Sequence, residues 1–268
     1  MSSKAILALC IAILIPVVSY ILVKQASEAA EIMPKHYLLD SVTSHTDEDK
    51  IVTDSVWHKV ANITLQNQLG DTVSLYNIQN KSIICDFFFT SCTSVCPKLT
   101  QNMVRLQRAF LKGGDPMHPP DSVAVQFVSF TIDPLRDSVQ KLKNYADRFG
   151  IDHDNWWMLT GNKDSIYNFI FQELKVDKYN ENGPLDPDFA HTDRFVLLDK
   201  NYQVRGYYNG LDTNSLGQLA KDASLLMLEK TGPAELPFDP VMMAIFFAIT
   251  LIVVTVVITL IFRKRKEK

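Results

Sequence analysis

Residues 87–99 read FFFTSCTSVCPKL. Cys92 and Cys96 stand four positions apart, and Pro97 follows the second directly. Proline is favoured at the first position of a helix, where its missing N–H needs no partner. The spacing therefore predicts a helix that opens at Pro97, with Cys96 as its cap and Cys92 in the loop before it. Both sulfurs would then lie near the positive end of the helix dipole, which favours thiolate. Thiolate is the form that bonds a metal or attacks a disulfide. A CxxC pair at a helix start suits disulfide exchange, whereas the extra residue here gives a looser loop in which two sulfurs can splay around an ion. Soft thiolates select Cu(I), zinc or an iron–sulfur cluster.

Two thiolates leave a metal site incomplete. His191, in DFAHTDRFVLLD, ends an irregular loop just before a strand and is the candidate third ligand. Two sulfurs and one imidazole make a trigonal site for Cu(I), and a fourth ligand would suit it to Cu(II). The other reading of His191 is a hydrogen-bonded polar residue. Asp133, in TIDPLRD, ends a strand at the same sheet edge and could orient a ligand through a hydrogen bond. Its alternative is to form the turn with Pro134. His36, His45, His58, His118 and His153 fall in polar stretches, at a strand start or in turns and read as surface residues, as does Met33. Cys85 reads as a buried core thiol. Asp86 is unexpected in so apolar a strand, and its side points toward the thiol pair if the alternation holds. The chain has no GxSxG, no HExxH and no phosphate-cradling glycine loop, and the sequons at Asn62 and Asn80 are too short to carry an inference.

The elements that must hold these residues follow from periodicity. HKVANITLQNQLGDTVSLYNI alternates as two short strands around a Leu-Gly-Asp turn. SIICDFFF, 82–89, is apolar on both sides and belongs in the centre of a sheet. PKLTQNMVRLQRAFLKG places Leu99, Met103, Leu106 and Phe110 on one helical face, with Gly113 as the stop. A second buried strand is expected over 122–133. A helix opened by Asp137 or Ser138 and closed by Gly150 follows it. Then come the short strand WWMLTG, the helix KDSIYNFIFQEL and a loop over 176–190. RFVLLDKNYQVRGYYNG reads as two strands turning at 199–201, and TNSLGQLAKDASLLMLEK as a last helix. Strand–helix–strand units imply parallel pairing and the terminal hairpin adds antiparallel strands. The expected fold is α/β: a thioredoxin-like mixed central sheet flanked by helices over 53–231.

The ends of the chain are of another kind. Residues 5–23 form an uncharged apolar run, and 241–262 a second one long enough to cross a bilayer as a helix. The basic tail RKRKEK, 263–268, should stay cytoplasmic. With both runs spanning, both termini are cytoplasmic and the middle of the chain is exoplasmic, tethered by transmembrane helices at both ends. The first run is longer than the apolar core of a cleaved signal peptide, which favours an uncleaved anchor. Cys10 lacks a small residue before it and is no lipoprotein site. Residues 24–52, polar and irregular, read as a tether. The tail carries +4, which leaves −7 on the rest of a chain of net charge −3. That acidic balance argues against nucleic acid. Three cysteines outside the apolar runs are too few to staple a fold.

Three blocks, FFFTSCTSVCP, FVSFTIDPLRDS and HTDRFVLLDKNYQVRGYYNG, together resemble the Sco/SenC family of copper-binding assembly proteins, over roughly residues 55–230. The resemblance implies a membrane-tethered thioredoxin-like domain holding one copper through Cys92, Cys96 and His191. It implies service to the binuclear copper centre of a cytochrome c oxidase subunit, with an upstream copper donor or thiol reductant as second partner. Family members usually carry a single N-terminal anchor, and the second apolar run departs from that. The competing class is a thiol-disulfide oxidoreductase that cycles Cys92 and Cys96 without metal. A peroxide-reducing thiol enzyme fits less well, because it needs one cysteine beside Arg and Thr. A transmembrane sensor would need an output domain larger than RKRKEK.

Overall fold

The computed structural model of the chain describes residues 33–47, 50–112, 125–176 and 192–229. The apolar runs, Cys10, the basic tail, Gly113, His118, His191 and the loop over 177–190 lie outside the described residues. So do residues 24–32 of the expected tether.

A five-stranded sheet runs in the order β7-β6-β5-β8-β9. β5 (Ser82–Phe88) lies at its centre, parallel to β6 (Val125–Thr131), which is parallel to β7 (Trp156–Leu159). On its other side β8 (Arg194–Leu198) is antiparallel to β5, and β9 (Val204–Asn209) antiparallel to β8. All seven residues of β5 and of β6 are buried, as strands apolar on both faces require. Alternation sends Ile84 and Phe88 to one face and Ile83, Cys85 and Phe87 to the other.

Three helices cover the first face. α1 (Cys96–Lys112) contributes Leu99, Met103 and Leu106, α2 (Val139–Phe149) contributes Leu142 and Ala146, and α4 (Thr213–Leu228) contributes Leu219, Ala223 and Leu226. The second face is covered by α3 (Lys163–Asn168), which continues as a π-turn over Phe169–Glu173, and by the short hairpin of β3 (Thr64–Gln66) and β4 (Thr72–Ser74). The caps are local. Gly150 closes α2 at φ 64°, a left-handed position that glycine takes without a Cβ penalty. Asn162 and Asp212 accept from the N–H of Ser165 in α3 and of Ser215 in α4.

Two expectations change. Part of the stretch expected to be irregular is an antiparallel hairpin, β1 (Leu39–Asp47) with β2 (Lys50–Trp57). Its polar β-branched residues pair across the strands although neither face reads as apolar. Of the two candidates to open α2, Ser138 is the cap residue but its side chain makes no capping bond. The Asp137 carboxylate is used elsewhere.

Candidate thiol and metal site

β5 ends at Phe88 and the chain turns at once, with the Cys92 N–H donating to the Phe89 carbonyl at 3.2 Å. α1 begins at Cys96, one residue earlier than the proline implies. Val95 accepts the first helical bond, from Leu99 at 3.1 Å, and is the cap. Cys96 is thus the first helical residue, not the cap. Both cysteines are free thiols, 6% and 2% exposed, packed with Phe88 and Leu99.

The two sulfurs are unequal, contrary to the expectation that the helix dipole favours thiolate at both. Burial opposes ionisation of Cys92, but hydrogen bonds from the Cys96 thiol, the Cys96 N–H and Ser94 outweigh it and bring its pKa down to about 7. The Ser94 hydroxyl lies 3.6 Å from the Cys92 sulfur. Cys96 is pushed up to about 12, first by burial and then by its bond to Cys92. A proton shared this way stays on the inner sulfur and leaves the outer one as thiolate near neutral pH.

The thiol loop is held from beneath. The Thr90 N–H donates to Asp137 Oδ2 at 3.0 Å, and the Thr90 and Thr131 hydroxyls donate to the same carboxylate. Asp137 is fully buried and ties the start of the loop to the end of β6. Among the described residues Asp133 makes no hydrogen bond to either cysteine. Its N–H donates to Thr131 Oγ1, its carbonyl accepts from Arg136 and Asp137, and its carboxylate lies 3.6 Å from the Arg136 guanidinium. It makes the turn, the alternative that the sequence left open. The residue that reaches the loop is four positions further on, and the second acid of TIDPLRD was the available signal.

Asp86 lies on the Cys96 side of β5, flanked by Ile84 and Phe88. It is 1% exposed, and among the described residues its Oδ1 has no hydrogen-bond partner. Burial raises its pKa to about 7, against a bond from Ser129, which also accepts from the Trp156 indole at 2.8 Å. Cys85 faces the opposite cluster and is fully buried, and burial raises its pKa far above that of a free thiol. It is a core thiol, as expected. No three His, Cys, Asp or Glu side chains among the described residues form a metal-holding group. The chain returns at Thr192, and Arg194 opens β8 at the sheet end from which the thiol loop departs. There Asp193 accepts from Gly210, whose carbonyl accepts from Asn102 of α1.

The model of the SCO1/SenC family matches residues 55–225. Among curated proteins, the SCO1 protein homolog of Bacillus subtilis (strain 168) is 30% identical over 172 residues, spanning 64% of this chain and 84% of its own. Among solved structures, BsSco, described as a member of the Sco family of cytochrome c oxidase assembly proteins with a disulfide switch, superposes with a TM-score of 0.53. It is 28% identical and covers 66% of this chain and 98% of its own. A SCO1/SenC family lipoprotein from Bacillus anthracis gives 0.52 at 28% identity, over 63% and 95%.

Proposed function

The chain belongs to the SCO1/SenC family, and from that membership we propose that it is a membrane-anchored copper carrier for the binuclear copper centre of cytochrome c oxidase. Cys92, Cys96 and His191 are its ligands. Residues 5–23 and 241–262 are its anchors, with 24–52 as tether, 53–231 as the thioredoxin-like copper-binding domain on the exoplasmic side of the cell membrane and 263–268 as a cytoplasmic tail. The copper-centre subunit receives the ion, and a copper donor or thiol reductant recharges the site.

The observation that carries this reading is the pair of reduced thiols, four positions apart, at a loop–helix junction fixed by a buried carboxylate. Thiolates suit Cu(I), and Cys92 offers one near neutral pH. Binding to Cys96 releases its proton, so uptake falls as the medium becomes more acidic. His191 stands one residue before the chain returns beside the thiol loop. Asp133, whose backbone bonds form the turn, orients a ligand through a hydrogen bond in this reading.

A second reading, thiol-disulfide exchange, is favoured by the same inequality of the sulfurs. The Cys92 thiolate attacks a disulfide in the target and forms a mixed disulfide. Cys96, after losing its proton, attacks the Cys92 sulfur and releases the target dithiol. Two electrons pass to the target, the Cys92–Cys96 disulfide remains, and an external thiol reductant must reset it. Titration of the reduced protein with Cu(I) against a competing chelator separates the two. Tight one-to-one binding, abolished in Cys92→Ser and Cys96→Ser and weakened in His191→Ala, supports the carrier. No tight binding, with the pair still cycling against a dithiol, overturns it in favour of the reductase.

A further inference from the structure

Arg205, early in β9, is 2% exposed, and five bonds saturate its guanidinium. Nε and Nη2 donate to the Pro34 carbonyl at 3.1 and 2.6 Å. Nη1 donates to Asp199 Oδ2 at 2.9 Å, and Nη1 and Nη2 donate to the two oxygens of Glu229 at 2.7 and 2.9 Å. Pro34 and Glu229 stand at the two ends of the described domain, 195 residues apart in the chain. A bidentate, charge-assisted pair of this kind is among the stronger hydrogen-bonding arrangements. Neighbouring contacts reinforce it. The Tyr37 N–H donates to the Val204 carbonyl at 3.1 Å, and Lys200 Nζ donates to the Glu229 carbonyl.

The place of this clamp follows from the sheet. β8 is antiparallel to β5, with Leu198 opposite both Ile83 and Val204. Asp199 and Arg205 therefore lie at the Ser82 end of β5, and the thiol loop leaves from its Phe88 end, about 20 Å away at strand rise. α4 runs the same way, from Asp212 near the thiol end to Glu229 at the clamp. Beside the clamp Met33, Met227 and Leu228 are exposed, Leu228 by 72%. Only residues 24–32 and 230–240 separate the clamp from the apolar runs 5–23 and 241–262. Fully extended they reach about 30 and 40 Å at most.

We propose that Arg205 fastens the two ends of the domain together, and that this pole, opposite the thiol pair, is the face that meets a phospholipid bilayer. The proposal rests on the reading of the two apolar runs as anchors. It makes the thiol pair serve an acceptor that stands above the membrane surface.

The test uses the full chain in vesicles of phosphatidylethanolamine and phosphatidylglycerol that carry a diazirine-tagged phospholipid. After illumination, adducts are mapped by mass spectrometry. Adducts at Met33 and Leu228, with none on 89–98, are expected. Equal labelling of 89–98 in protein that resists an alkaline wash overturns the orientation and leaves the anchors standing. Release by the wash overturns the anchors, and the orientation with them. In Glu229→Gln, which removes one charged arm, the Tyr37 amide should exchange about tenfold faster or more while β5 amides keep their rates. Unchanged Tyr37 exchange, or equal acceleration in β5, overturns the clamp.

Discussion

Burial and hydrogen bonding, more than residue type, set the chemistry of Cys92, Cys96 and Asp86. Cys92 gives up its proton near pH 7, and the thiolate it leaves is held by the proton that Cys96 keeps. Brief alkylation of the reduced protein should therefore mark Cys92, with a rate that rises through about pH 7, and leave Cys96 unmodified until the fold opens. Peptide mass spectrometry across a pH series checks this, and Ser94→Ala should move the midpoint upward. Asp86 carries the reverse linkage. Its folded pKa of about 7 lies above the ordinary value of 3.8, so the native state keeps a proton that the unfolded chain loses. The Asp86 contribution to stability is largest below about pH 4, falls as pH rises toward 7, and is flat above it. Asp86→Asn should abolish that slope and stabilise the domain at pH 8 by on the order of a few kcal/mol, read from urea midpoints.

At the level of elements, the thiol loop is positioned by a contact between neighbours in the sheet. β5 and β6 lie side by side, and Asp137, just past β6, accepts from Thr90 and Thr131 together. The aspartate, one of the two expected openers of α2, instead fixes the loop of β5. Asp137→Asn keeps the size and weakens these charge-assisted bonds. A loss of about 2–3 kcal/mol is expected by chemical denaturation, together with faster exchange at the Thr90 amide. At the other border of the site, a Cβ at Gly210 would stand 2.6 Å from Leu99 and 2.8 Å from Phe195, so α1 and β8 close here on a bare backbone. That contact lets Asn102 reach the Gly210 carbonyl and sets the start of β8 beside α1.

At the scale of the domain, the two ends of the strands form two poles. The thiol pair occupies one, with two reduced sulfurs over a buried carboxylate. The other gathers both ends of the domain on one guanidinium, which pairs with both Asp199 and Glu229. The hairpin of β1 and β2 is joined to that second pole. The His58 N–H donates to the Leu38 carbonyl and its ring contacts Asp40 and Glu173. The order of the chain thus carries both of its domain ends away from the site it serves.

The sequence by itself determined the elements of the five-stranded sheet, because burial on both faces and helical spacing are local patterns that tertiary packing reinforced. It also determined which residues could be ligands: the CxxxCP pair after an apolar strand is legible without coordinates, and so is Cys85 as a core thiol. The hairpin over 39–57 was not legible, since its strands pair through the backbone with little apolar alternation to betray them. Only the tertiary structure decided which acid holds the thiol loop. Asp133 and Asp137 are equally polar and equally near the turn, and what separates them is which one lies under Thr90 once β5 and β6 are paired. It also decided that Cys92 and Cys96 differ, through their unequal burial and hydrogen bonding, and that Arg205 joins residues nearly two hundred positions apart. Such contacts depend on distance in space, which periodicity along the chain does not encode.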